Sequence, residues 1–76
     1  MRSLIQALIQ ALVEYPQDVE VNEISGKTLM HYEIKCRKSD MGKIIGKEGY
    51  TIQSIRNILN AIASKNKHRI IISLIE

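Results

Sequence analysis

The chain has 76 residues, of which 45% are hydrophobic and 25% charged, with a formal net charge of +3. This is about half the usual domain length, so we expect a single domain spanning residues 1–76. The composition argues against a disordered tail, and the apolar runs are too short for a membrane span. Because Gln6 and Gln10 interrupt the N-terminal apolar stretch, we expect no signal peptide.

Few side chains are available for catalysis or metal binding. The chain has a single cysteine, Cys36, so it cannot form an internal disulfide. A small domain without disulfides is typical of the reducing cytoplasm. Together with His31 and His68 it falls short of a four-ligand zinc set. No nucleophile–base pair and no plausible pair of carboxylates is present. We therefore expect no enzymatic activity, no catalytic residues, no metal and no cofactor.

Charge is distributed unevenly along the chain. Residues 1–34 carry two basic and five acidic side chains, whereas residues 35–76 carry nine basic and three acidic ones. Such a split predicts one face that attracts polyanions. The densest basic run covers residues 65–69, and it is either a solvated loop or a distal contact for nucleic acid.

An amphipathic helix is predicted over residues 3–14, capped by Ser3 and ended by Tyr15-Pro16. Its apolar stripe comprises residues 4, 5, 8, 11 and 12. Further apolar side chains at positions 7, 9 and 13 indicate either burial on several sides or a partner.

Two strands should follow as a hairpin. Residues 19–24 alternate and end at a turn, Ser25-Gly26. Residues 28–37 also alternate, which predicts a half-buried strand. Thr28, Met30, Tyr32, Ile34 and Cys36 should share one face, which we expect to be the core face.

Two helices and a last strand complete the chain. Ser39 and Asp40 are expected to cap a short helix over 40–45, which Gly46 ends. Residues 50–64 predict a longer helix that Asn66 ends, and its core residues should be Ile52, Ile55, Ile58, Leu59 and Ile62. Residues 68–75, apolar on both faces, predict an inner or covered strand.

The predicted order is therefore α-β-β-α-α-β, an α+β fold. A helical crossover between two strands favours their parallel pairing. We expect a three-stranded mixed sheet covered by three helices on one face.

The segment most informative about function is residues 45–52, with the pattern I-G-x-x-G-x-x-I. Gly46 and Gly49 frame a two-residue tip between helices, where glycine allows left-handed dihedrals and close approach of another backbone. Gly49 opens a helix whose free N–H groups favour an anion, and Lys47 adds a charge. The segment is not a nucleotide P-loop, since G-x-x-x-x-G-K-[ST] is absent.

With this motif and element order, the chain resembles the type II KH domain, and in size it is similar to the small stand-alone bacterial KH proteins of the KhpA (YlqC) type. The resemblance implies non-catalytic binding of single-stranded RNA, with the sugar–phosphate backbone held by the GxxG loop. About four bases would lie in a groove between the two central helices and the sheet. The residues implied are Gly42, Lys43, Ile45, Gly46, Lys47, Glu48, Gly49, Tyr50 and Arg56.

Within this set, Gly42 and Ile45 would form the groove floor, whereas Lys43, Lys47 and Arg56 would supply charge. Two positions depart from the family pattern. Tyr50 stands where a basic residue is common, so its ring either stacks on a base or shields the first helical turn. Glu48 repels phosphate locally unless its side chain points to water.

The resemblance also implies a homodimer and a larger KH-containing partner of the KhpB (Jag/EloR) type. The corresponding role is that of a post-transcriptional regulator or RNA chaperone. The alternative is a protein-interaction or dimerisation module with weak RNA affinity, which Glu48, Tyr50 and the apolar first helix would suit.

Overall fold

The computed structural model describes residues 1–65 and 67–75. It contains three α-helices and three strands in the predicted order: α1 (Arg2–Leu12), β1 (Glu20–Ser25), β2 (Leu29–Lys35), α2 (Met41–Ile45), α3 (Tyr50–Ser64) and β3 (Arg69–Ile75). Three short 3₁₀ turns precede β1, α2 and α3. The predicted end of α3 at Asn66 lies outside the described residues. None of the described helices has the length and apolar character needed to cross a membrane.

The sheet is mixed, as predicted. β1 pairs antiparallel with β2, and β2 pairs parallel with β3, in the order β1-β2-β3. The backbone N–H of Gly26 donates to the carbonyl oxygen of Leu29 at 2.7 Å and closes the hairpin turn. The architecture is that of the type II KH fold.

The last strand is predicted to be an inner or covered strand, but it is not an inner strand, and the helices cover only one of its faces. β3 lies at an edge of the sheet, and Ile71 on its outer face is 41% exposed. Its run of isoleucines reflects two different environments. Ile70 and Ile72 pack inward beneath the helices, whereas Ile71 faces away from them.

One hydrophobic core lies between the helices and the inner face of the sheet. Tyr32 and Ile34 of β2 are fully buried at its centre, and Cys36 is buried beside them, as predicted. The helices contribute the buried side chains Ile5, Ile9, Met41, Ile44, Ile52, Ile55, Leu59 and Ala63.

The predicted core stripes of the two long helices need correction. In α3, Ile58 is 58% and Ile62 41% exposed, because the inward stripe runs through Leu59 and Ala63 instead. In α1, Ile5 and Ile9 are buried. The other apolar side chains of its predicted stripe, Leu4, Leu8, Ala11 and Leu12, are exposed. Both helices therefore present apolar side chains to solvent.

The predicted side-chain caps at Ser3, Ser39 and Asp40 are also wrong. α1 begins after Met1 without a side-chain cap, and α2 begins after Asp40 without one. The Asp40 carboxylate instead accepts hydrogen bonds from the backbone N–H groups of Glu14 and Tyr15, at 3.2 and 3.0 Å. A buried carboxylate thus ties the end of the first helical segment to the start of α2.

Candidate nucleic-acid interface

The loop between α2 and α3 breaks the helix at Gly46, as predicted. The Gly46 N–H donates to the carbonyl oxygen of Gly42 at 2.9 Å and ends α2. Residues Lys47–Gly49 form a single 3₁₀ turn, in which the Gly49 N–H donates to the carbonyl oxygen of Gly46 at 3.3 Å. The chain therefore reverses within four residues and re-enters a helix at Tyr50.

Gly46 is required by both its dihedrals and its surroundings. Its φ of 76° and ψ of 178° fall in a region that is essentially restricted to glycine. A Cβ at this position would overlap the side chain of Thr51 and lie 2.9 Å from the Thr51 backbone nitrogen. The bare Cα of Gly46 therefore lets the first turn of α3 pack directly against the end of α2.

Gly49 is required by its dihedrals alone. It adopts a left-handed conformation with φ 79° and ψ 8°, but a Cβ there would meet nothing within 4 Å. Glu48 is also left-handed, with φ 56° and ψ 24°. Because this conformation disfavours residues with a Cβ, the tip carries local strain at Glu48.

The two tip side chains project from the molecule. Lys47 and Glu48 are both exposed, whereas Gly46 and Gly49 are half-buried. Among the residues that the structure describes, Lys47 takes part in no salt bridge. The loop therefore offers one free cation beside backbone that lacks side chains.

Lys43, the second predicted cation, is already paired. Its Nζ lies 3.1 Å from the Glu14 carboxylate and 3.6 Å from that of Asp40. The hydrogen bond to Glu14 raises the pKa of Lys43, with a smaller contribution from Asp40. A phosphate at Lys43 would have to compete with two carboxylates.

Arg56, the third predicted cation, reaches the sheet. Its Nη2 donates to the carbonyl oxygen of Ile72 in β3 at 3.0 Å, and the side chain is half-buried. One turn further along α3, the Asn60 side-chain oxygen accepts from the Ile70 N–H at 2.9 Å. Since β3 is an edge strand, these two side chains satisfy peptide groups that the sheet leaves unpaired.

Gly42 and Ile45 lie on the surface of α2. Gly42 is exposed with nothing within 4 Å of a Cβ, and Ile45 is 37% exposed. The structure thus brings Gly42, Ile45 and the loop together on a short stretch of chain. Arg56 lies two turns into α3, about 10 Å along the helix from Gly49 at 1.5 Å per residue.

Tyr50, which is 67% exposed, borders an apolar groove between α1 and α3. The groove has a volume of about 400 Å³ and is lined by Leu8, Ala11, Leu12, Tyr50, Thr51, Ser54, Ile55 and Ile58. Of the nine predicted site residues, only Tyr50 lines it. The predicted base-binding groove is a different one, between the two central helices and the sheet.

Thr51 and Asn60 support residues of the predicted site structurally, and the sequence analysis did not single them out. Thr51 packs on Gly46, and Asn60 holds β3 beside Arg56. The contact of Thr51 with Gly46 could have been predicted, because Thr51 lies five residues after Gly46, in the first turn of the next helix. The hydrogen bond of Asn60 could not have been predicted, because its partner is a backbone group ten residues away.

Comparison with known proteins gives a consistent result. A family model described as KhpA/KhpB, KH domain, matches residues 2–74. An RNA-binding protein KhpA from Caldanaerobacter subterraneus subsp. tengcongensis is 44% identical over 99% of this chain and all of its own length. Proteins of the same name from Chlamydia pneumoniae and Halalkalibacterium halodurans are 40% and 37% identical. Both alignments cover the whole of this chain, and they cover 97% and 100%, respectively, of the length of the two relatives.

No solved structure matches the chain significantly. The family model and the relatives nevertheless cover nearly every residue, including the GxxG loop and both flanking helices. The chain belongs to the KhpA/KhpB family of KH-domain proteins.

Proposed function

We propose that this protein binds single-stranded RNA without catalysis, holding the sugar–phosphate backbone at the GxxG loop. The observation that carries the proposal is the loop itself. Gly46 and Gly49 present bare backbone, Lys47 is exposed and unpaired among the described residues, and α3 begins immediately after them. Relatives matched over full length are named RNA-binding proteins.

The physical basis is electrostatic and steric. The N-terminus of the 15-residue helix α3 carries partial positive charge and N–H groups that favour a phosphate. Gly49 lets the phosphate approach closely, because no atom of the described residues lies within 4 Å of the position its Cβ would take, whereas the same space at Gly46 is filled by Thr51. Gly42 and Ile45 then offer a small and an apolar surface to the bases, and the exposed Tyr50 ring is available for stacking.

Affinity from this loop alone should be weak and only mildly dependent on salt. Lys47 is free of salt bridges among the described residues, whereas Lys43 and Arg56 would have to leave their present partners to reach phosphates. With two or three phosphates neutralised in this way, log K should fall with log salt at a slope of roughly −1.4 to −2.1. The test is a titration of purified protein with a single-stranded RNA of about eight nucleotides at low salt. Saturable binding is expected, and no binding at about millimolar protein would contradict the proposal.

A second function, self-association, is favoured by the apolar surface of α1 and α3. Leu4, Leu8, Leu12, Ile58 and Ile62 are each 37–58% exposed around the groove. We propose that a second copy of the chain covers this surface, which would give two RNA sites in one particle and raise affinity by effective concentration. A KhpB-type KH protein is a further partner for the same surface, in keeping with a role in post-transcriptional regulation or as an RNA chaperone.

Light scattering after size exclusion tests the dimer. Ile58→Lys should convert the protein to a monomer, because it places a charge in the apolar interface. Ile71→Lys is the matched control, since Ile71 is likewise an exposed isoleucine, at 41% against 58% for Ile58, but lies on the outer face of the sheet. A monomeric wild type, or loss of the dimer in the control alone, would contradict this interface.

A further inference from the structure

A second concentration of positive charge lies at the opposite end of the molecule from the GxxG loop. α3 runs from the loop at Tyr50 to Ser64, and the chain then returns into β3 at Arg69. The Arg69 N–H donates to the carbonyl oxygen of Thr28 at 2.8 Å and joins this return to the β1–β2 turn. The distal basic cluster consists of Lys27, Lys65, Lys67 and Arg69.

These four side chains are free to act on a ligand. All four are exposed, and among the described residues none takes part in a salt bridge. At the GxxG end, by contrast, Lys43 is paired with Glu14 and Arg37 with Asp18 at 2.7 Å. Four cations that pair with no described carboxylate therefore lie at the distal end, in addition to the unpaired Lys35, Lys38 and Lys47 elsewhere on the molecule.

Helix α3, which connects the two ends, carries no negatively charged side chain. No aspartate or glutamate occurs anywhere in residues 49–75, so α3 carries no acidic side chain along its whole length. Its exposed positions include the neutral polar residues Gln53, Ser54 and Asn57. A polyanion leaving the loop along α3 would meet no carboxylate on that helix before it reached the distal basic cluster.

The dimensions set the length of ligand that could reach both ends. A helix of 15 residues is about 22 Å long at 1.5 Å per residue. A stacked strand advances about 3.4 Å per nucleotide, so roughly seven nucleotides span this distance. The four nucleotides that a GxxG clamp holds would not reach the cluster.

We propose that the distal basic cluster is a second contact for the RNA backbone, engaged only by strands long enough to run from the GxxG loop along α3. This inference rests on the proposed function of the loop. The cluster recognises phosphate charge rather than sequence, because lysine and arginine side chains on a solvated surface give affinity without reading bases.

The test compares Lys65→Gln/Lys67→Gln with wild type on single-stranded RNAs of about five and about twenty nucleotides. Losing two phosphate contacts at about 0.7 each should reduce the salt slope on the longer RNA by about 1.4. Affinity for the longer RNA should fall roughly tenfold at 0.15 M salt, while affinity for the short RNA stays unchanged.

The matched control is Lys35→Gln/Lys38→Gln, which removes the same charge from two exposed lysines at the other end of the sheet. This control should change the affinity for the short and the long RNA by the same factor. The inference is overturned if the distal variant lowers the affinity for both RNAs equally, or if it leaves the affinity for the longer RNA unchanged. Wild-type protein that binds neither RNA would instead refute the proposed function, and the inference with it.

Discussion

The carboxylate of Asp40 accepts a hydrogen bond from the backbone N–H of Tyr15, 3.0 Å away and 25 residues earlier in the chain. Asp40 is fully buried, and it also accepts from the Glu14 N–H and lies 3.6 Å from Lys43. The contact fixes the start of α2, and hence the GxxG loop, relative to α1. Removal of this carboxylate should therefore affect both stability and the position of the loop.

Asp40→Asn should lower the thermal unfolding midpoint by several degrees at neutral pH, because its amide replaces one accepting oxygen with a donor. Burial alone would raise the pKa of Asp40, but the two backbone N–H groups and Lys43 outweigh it and lower the pKa. The stability that Asp40 contributes is thus present above the ordinary Asp pKa of about 3.9 and lost as pH falls further. The difference between wild type and variant should shrink below about pH 4, and a constant difference down to pH 2 would contradict this account.

Gly46→Ala should cost more stability than Gly49→Ala. The left-handed conformation of Gly49 costs a residue with a Cβ about 1–2 kcal/mol, and the region occupied by Gly46 costs about 1–3 kcal/mol. Only at Gly46 does the added methyl also overlap Thr51. Chemical denaturation of the two variants checks the ranking. Equal losses would show that the packing of Thr51 on Gly46 has no energetic consequence.

Gly42→Ala should separate folding from binding. The position is helical and open, so alanine should raise the free energy of unfolding by about 0.8–1 kcal/mol through helix propensity. If Gly42 forms the groove floor, the same methyl should weaken RNA binding. Denaturation and RNA titration of one preparation provide both values. A more stable variant with unchanged RNA affinity would show that Gly42 is not part of the RNA-binding site.

Asn60→Ala should destabilise the protein by about 1–3 kcal/mol, because it leaves the Ile70 N–H without its acceptor at the edge of the sheet. Asn57→Ala on the same helix is the control. Asn57 is exposed, and its side-chain oxygen accepts from Gln53 on the same helix. If both substitutions have the same small effect on urea denaturation, the bond to β3 contributes little.

The element order and bounds were largely predictable from the sequence, because periodicity of two or 3.6 residues carries them. Residues 50–64 were predicted as a helix, and α3 spans Tyr50–Ser64. The position of the final strand in the sheet was not predictable in this way. The isoleucines of β3 are apolar on both faces, and only tertiary structure shows that Ile71 faces outward.

Exposure on the two long helices also depended on tertiary packing. Ile55, Ile58 and Ile62 follow one another at helical spacing, yet only Ile55 is buried. The core stripe passes instead through Leu59 to Ala63, a small residue that sequence patterns underweight.

At the site, the glycine positions were predictable from local geometry. The engagement of Lys43 and Arg56 was not, because their partners lie 29 and 16 residues away.

The most direct test of the central claim is RNA binding by Lys47→Asp/Glu48→Asp. It removes the one free cation of the loop and adds negative charge, while the exposed side chains make no core contact. The control is Lys35→Asp/Glu20→Asp, which makes the same change at a cross-strand pair in β1 and β2. With all three proteins folded by circular dichroism, binding of an RNA of about eight nucleotides should be lost in the loop variant and retained in the control. Equal binding by the folded loop variant and wild type would contradict the account.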